Sequence, residues 1–314
     1  MAPGMTLRRL LALLLPIALA APAAADPQKL PTPQAEVAAS LPAPFQPAPL
    51  KPALWRIADA DTTIYLFGTI HVLPKDEPWF VGPLASAADG STELVTEIGE
   101  VDPAQIVAVV SELGFLPPGK SLRDMMSPAD RTAFEAALVR LKLPPDGLDR
   151  CEPWYAANAL LLMQLRSAGV EGANGPETFL AARFAEKARP RTGLETIRFQ
   201  LGLFDALPLD AQLRYLREVV DGGAGVVEEV AKITREWGQG NAETLAEAMN
   251  ADEEDPVLLQ RLLLDRNKTW SRWIAARLDQ PGTVFMAVGA GHLAGRGSVQ
   301  DELSALGLSA TRVQ

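Results

Sequence analysis

An α/β fold is predicted for this chain of 314 residues. Its centre is a mixed β-sheet contributed by N- and C-terminal strand–Gly-x-x-His units, with a large helical section between them. Three observations predict it. β-type runs concentrate near the two ends, as in LWRIAD, TIYLFG and ELVTEI early and TVFMAVG late, with one short piece, RTGLE, between. From Pro103 to Leu278 most of the chain instead repeats apolar residues at helical spacing, and several segments carry Pro in the first turn. Finally, the chain has only two histidines, and each ends a Gly-x-x-His at the close of a β-type run: GTIH, Gly68 to His71, and GAGH, Gly289 to His292.

The N-terminus belongs to none of this. Arg8 and Arg9 precede an apolar run from Leu10 to Ala20, and Ala23 to Ala25 follow. That order of charged, apolar and small residues is a secretory signal. The run is too short to cross a bilayer comfortably. Residues 1–25 are therefore expected to be a signal peptide, residues 26–52 a Pro/Ala-rich linker, and residues 53–314 the folded domain. Export across the inner membrane to the periplasm is expected, with no stable membrane span after cleavage.

Composition narrows the partners. The net charge is −10, and loss of Arg8 and Arg9 makes it more negative, which argues against nucleic acid as a partner. Cys151 is the only cysteine, so no intramolecular disulfide can form, and burial at a helix start is expected for it.

The elements follow in order. LWRIAD and TIYLFG read as a hairpin, with a small helix near Gly82 to Ala88 and the strand Glu93 to Ile98 after it. Helices are predicted at Pro103 to Leu113, Pro128 to Leu141, Pro153 to Ala168 and Pro176 to Lys187. RTGLE, Arg191 to Glu195, is β-like. Helices resume over Ile197 to Ala206, Asp210 to Val220, Gly225 to Trp237, Ala242 to Asn250 and about Pro256 to Leu278. The end returns to β at Thr283 to His292, then a helix near Val299 to Leu306, then LSATRV. The order strand, Gly-x-x-His, loop, short helix, strand thus occurs at both ends. If the echo is structural, the two units pair about a pseudo-two-fold and bring His71 and His292 together.

A strand-end glycine lets the backbone turn sharply and approach a ligand closely. Two imidazoles make a poor metal site alone; a carboxylate commonly completes one. Glu97 is the candidate, since ELVTEI alternates and puts Glu93, Val95 and Glu97 on one face. An acid in an apolar strand needs a metal or a salt bridge. Glu195 ends RTGLE at the same kind of strand terminus, where it supports the site or caps the next helix. Arg266, in LLLDRNKTWSRWI, either reaches the site to hold an anionic intermediate or lies at the surface. His-Glu-x-x-His, paired Cys-x-x-Cys, Walker and Gly-x-Ser-x-Gly patterns do not occur.

LWRIADADTTIYLFGTIHVL and ELVTEI, then EPWYAANALL, RTGLETIRFQLGLFDALP, LLLDRNKTWSRWI and VFMAVGAGHLAGRGSVQDEL, resemble in that order the TraB/GumN family, related to the Tiki proteases. The resemblance runs from about Leu54 to the C-terminus. It implies an α/β fold shared with erythromycin-esterase-like and ChaN-like proteins. It also implies a divalent-metal site (Mn, Co or Zn) with His71, Glu97 and His292 as ligands. Arg266 and Asn267 match the family's Arg-Asn pair, and Glu195 matches the acid of its GLET stretch. DRCEPW and GVEGANGPETFL depart from the family pattern, away from the histidines, and leave substrate shape open. The implied activity is an exported, metal-dependent, peptidase-like hydrolase of the cell envelope, with Glu195 and Arg266 in catalytic roles. Its substrate would be a peptide or a small molecule. Two alternatives stay open: a metal-free esterase using the histidines as acid and base, and a non-catalytic haem- or peptide-binding protein.

Overall fold

The computed structural model describes residues 49–71, 73, 77–167, 175–223, 225–250 and 259–314. The expected signal peptide and most of the expected linker lie outside the described residues.

Strands β1 (Leu54–Ala58) and β2 (Thr62–Thr69) form the antiparallel hairpin, pairing Leu54 with Phe67 and Ala58 with Thr63. Strands β3 (Glu93–Ile98), β4 (Arg191–Glu195) and β5 (Gly282–Gly289) add in parallel, and the short β6 (Thr311–Arg312) lies on β1. The resulting six-stranded mixed sheet has the order β4-β3-β5-β2-β1-β6. Both terminal units contribute to it, as the α/β expectation requires. β2 and β5 are parallel neighbours, with Thr69 opposite Gly289, so the two Gly-x-x-His ends leave the sheet side by side. The first unit steps from β2 over β5 to β3; the second steps the other way, from β5 over β2 and β1 to β6.

Helices α1 (Gly82–Gly90), α2 (Pro103–Leu113), α3 (Pro128–Arg140), α4 (Pro153–Ser167) and α5 (Pro176–Glu186) precede β4. Helices α6 (Ile197–Asp205), α7 (Leu209–Gly222), α8 (Val226–Gly238), α9 (Ala242–Asn250) and α10 (Asp265–Leu278) separate β4 from β5, and α11 (Val299–Ala305) precedes β6. Where the backbone N–H groups of a first turn lack helical partners, side chains supply them. Asp102 accepts from Ala104 N–H, Ser127 from Asp130, Thr196 from Phe199 and Ser298 from Asp301.

Two sequence expectations shift in detail. The long helix expected from Pro256 has residues 251–258 outside the described residues, and α10 follows a π-helical turn, Gln260–Leu264. Cys151 is buried, but it bridges to Phe115 just ahead of α4 rather than within it.

Strand alternation gives the sheet two apolar faces. Leu94, Phe67, Phe285 and Ala287 join the large core built from α1 to α9. Val95, Leu66, Val284, Met286 and Val288 face Trp270, Ile274 and Leu278 of α10 and Leu303 of α11. Glu97 shares the parity of Val95 and so points toward α10. That orientation is what later brings it to Arg266.

Candidate functional site

The four parallel strands end on one edge of the sheet, and each end delivers a polar side chain. Glu97 lies at the end of β3 and Glu195 at the end of β4; His71 follows β2 and His292 follows β5. The C-terminal ends of parallel strands are where open α/β sheets place their ligands.

Two glycines allow the approach. A Cβ on Gly68 would lie 3.0 Å from the Ala290 Cα, so β2 and the 3₁₀ turn Ala290–His292 pack only because it is absent. A Cβ on Gly289 would lie 3.1 Å from Glu97 Oε1. In its place the Gly289 N–H donates to that oxygen at 2.8 Å.

Arg266 sits at the centre with only 6% exposure. All five of its N–H groups are engaged. Nε donates to Glu195 Oε1 at 2.8 Å, and Nη2 donates to Glu195 Oε2 at 2.9 Å and Glu97 Oε2 at 2.6 Å. Nη1 donates to the Leu262 carbonyl at 3.0 Å and meets His292 Nε2 at 3.1 Å. Leu262 belongs to the π-helical turn that precedes α10. Gln200, on the buried side of α6, donates to both Glu97 Oε2 at 3.0 Å and Glu195 Oε2 at 2.8 Å. Trp270 Nε1 adds a bond to Glu195 Oε1 at 2.9 Å.

His292 is fixed on three sides. Its Nδ1 lies 2.6 Å from Asn267 Oδ1, its ring packs at a 41° tilt against Trp270 with centroids 4.4 Å apart, and its Nε2 faces Arg266. An arginine only donates and an amide oxygen only accepts, so Nδ1 carries the proton and Nε2 a lone pair. Burial and then the Arg266 charge push the His292 pKa down to about 3. The ring is therefore neutral at ordinary pH.

His71 is held differently. Its Nδ1 is 3.0 Å from Glu177 Oε1, an ion-pair distance, but the approach lacks hydrogen-bond alignment and leaves the nitrogen without a bonded partner among the described residues. Glu177 also accepts from Thr69 Oγ1 at 2.5 Å. Burial alone would depress the His71 pKa, but the Glu177 carboxylate, with Glu97 beyond it, raises it. Burial alone would likewise raise the Glu97 pKa; the charge of Arg266, with help from the Gly289 N–H, brings it to about 2.

Sequence reasoning named His71, Glu97, Glu195, Arg266 and His292. Glu97, Glu195, Arg266 and His292 are linked through the guanidinium, and His71 feels the charges of Glu97 and Arg266. It missed Glu177 and Gln200. An acid just after the helix-starting Pro176 reads as an ordinary dipole match. Gln200 could have been noticed as a polar residue on the apolar side of α6, beside Ile197, Leu201 and Phe204.

The donor chemistry suits a divalent cation: two imidazoles and a carboxylate, with one imidazole tautomer set by an amide as metal-ligating histidines require. Charge agrees. With both imidazoles neutral, Glu97, Glu177 and Glu195 stand against Arg266, a surplus of negative charge that a dication would neutralise. Arg191, partly buried, feels Glu100 more than Glu177. As the side chains stand, no group of three His, Cys, Asp or Glu among the described residues is gathered to hold a metal ion. The lone pairs of Glu97 Oε2 and His292 Nε2 are directed at Arg266 instead.

Residues 53–312 match the TraB/PrgY/gumN family, and the chain belongs to that family. It is 27% identical over 307 residues to a Danio rerio protein named Metalloprotease TIKI1, covering 80% of this chain and 60% of that protein. It is 22% identical over 262 residues to an uncharacterized protein of Treponema pallidum, covering 79% of this chain and 78% of that one. No solved structure matches.

Proposed function

We propose that this TraB/PrgY/gumN chain is a metal-dependent, peptidase-like hydrolase. His71, Glu97 and His292 would hold the ion, of the Mn, Co or Zn class. The observation that carries the reading is the delivery of all three side chains to one edge by the ends of β2, β3 and β5, with the His292 Nε2 lone pair fixed inward. A relative named a metalloprotease supports it. Bound there, the ion would polarise a peptide-type carbonyl and lower the pKa of water.

The protein groups have separate tasks. Asn267 keeps the His292 proton on Nδ1 and so keeps Nε2 available. Glu177 holds His71 beside the edge and supplies charge to whichever protonation state it takes. Burial of the whole cluster strengthens each electrostatic contact by excluding water. Glu195 orients Arg266 through a two-point pair. For Arg266 to hold an oxyanion, one of its five present bonds must open. The chain is proposed to work in the cell envelope after export. No helix of the described residues is long and apolar enough to cross a membrane.

A second reading has its own observation. The His71–Glu177 contact, with its raised histidine pKa, is an acid–base pair that could act on an ester without metal. One experiment separates the two: hydrolysis of a quenched fluorescent peptide library and of simple esters, before and after EDTA and after Mn²⁺, Co²⁺ or Zn²⁺ return. Peptide cleavage lost with EDTA and restored by metal supports the first. Ester cleavage indifferent to EDTA replaces it with the second.

A further inference from the structure

We propose that Arg266 competes with the metal for Glu97 and His292, and so sets the affinity of the cation site. The inference rests on the metal reading above and concerns a task for Arg266 that hydrolysis alone does not assign.

The guanidinium already behaves as a bound cation. It receives carboxylate oxygens from Glu97 and Glu195, the Leu262 carbonyl and the His292 Nε2 lone pair, all between 2.6 and 3.1 Å. Two of these acceptors, Glu97 Oε2 and His292 Nε2, belong to the proposed ligand set. Neither can give the same lone pair to a metal while the guanidinium holds it. A dication and a guanidinium would also repel each other strongly in a buried site.

There is room for an exchange. A cavity of about 620 Å³ opens between α6 and α10, and both Arg266 and Glu195 line its wall, with Thr196, Leu203 and Thr269. Glu195 binds Arg266 through Nε and Nη2, and Nη2 also reaches Glu97, whereas Nε touches Glu195 alone. Turning toward the cavity about the Nε–Glu195 bond, the guanidinium would keep Glu195 while Nη1 and Nη2 release His292 and Glu97. Glu195 is the hinge point of this motion and Trp270, 4.8 Å from the Arg266 Cζ, the surface over which the guanidinium slides. The site would then alternate between a guanidinium-filled and a metal-filled state, and its affinity would reflect the difference between the two.

The test is calorimetric titration of Zn²⁺ into the metal-stripped full chain, the Arg266→Gln variant and the Arg266→Lys variant, with thermal melts as folding controls. Arg266→Gln should bind at least tenfold more tightly than the unaltered chain, with Arg266→Lys between them. Equal or weaker binding by a folded Arg266→Gln overturns the proposal while leaving the metal reading in place. No Zn²⁺ binding by any of the three proteins ends both. Should Arg266→Gln not fold, the guanidinium NMR signals of Arg266 in the unaltered chain decide. They should move in step with Zn²⁺ occupancy, and signals unmoved at saturation overturn the exchange.

Discussion

The two Gly-x-x-His ends start from the same local grammar and are finished differently. At the β5 end, His292 is buried, packed against Trp270 and bonded at both nitrogens. At the β2 end, His71 has one carboxylate beside it and a ring nitrogen with no aligned partner. The motif brings a histidine to a strand end; the elements packed against that end decide how firmly it is held. α10 covers His292 with Asn267 and Trp270, whereas α5 offers His71 only Glu177. One imidazole is bonded at both nitrogens, and the other keeps a ring nitrogen with no aligned partner among the described residues.

The largest expected effect breaks the fixed end. Asn267→Ala removes the group that holds the His292 tautomer and strands the Gly297 carbonyl, which Asn267 Nδ2 now satisfies at 2.7 Å. Buried groups left unpaired cost about 1–3 kcal/mol each, and loss of such a ligand-orienting partner lowers metal affinity about 10- to 100-fold. Glu177→Ala should cost less stability, about 1 kcal/mol, because it strands only the Thr69 hydroxyl and its contact with His71 is poorly aligned. Denaturant melts of the two variants check this; equal losses would mean that the two ends are equally fixed.

Gly68→Ala and Gly289→Ala sharpen the comparison next. At Gly68 the new methyl meets the Ala290 backbone, which cannot yield cheaply, so about 1–3 kcal/mol is expected. At Gly289 it meets the Glu97 carboxylate end, so a smaller stability loss should come with a larger drop in metal binding.

pH separates the histidines by sign. His292 has a depressed pKa, about 3 against 6.5, so its burial favours folding fully above pH 6.5 and progressively less toward pH 3. The slope is about 1.4 kcal/mol per pH unit within that window. His71 has a raised pKa, so its contribution is complete below pH 6.5 and declines as pH rises through the higher folded value. Stability measured against pH for His292→Gln should lose the acid-side slope, and for His71→Gln a decline above pH 6.5. The same slopes in both variants would refute the assignment.

The smallest effect is expected at Cys151, distant in sequence from either motif. Burial pushes its thiol up to about 12, so a native-state thiol reagent should react only on unfolding.

Much of this was legible in the sequence because period and punctuation carried it. ELVTEI alternates, and that parity aims Glu97 at α10. Pro at helix starts and Ser, Thr or Asp caps mark most helix beginnings. What was not legible depended on long-range packing. Nothing local in PETFL tells that Glu177 meets His71, since α5 reaches that residue only through the fold. LLLDRN reads as continuous helix, yet a π-helical turn gives Arg266 the Leu262 carbonyl. The engagement of all five Arg266 donors could not be read from one arginine on a striped helix.

The central claim is that the ends of β2, β3 and β5 form one cation site. The most direct measurement is anomalous diffraction from a crystal of the chain soaked in Zn²⁺. The account predicts one strong peak within ligand distance of His71, Glu97 and His292, with Arg266 turned away toward Glu195. A metal bound by one histidine alone, or a peak elsewhere with Arg266 still on Glu97 and His292, would contradict it.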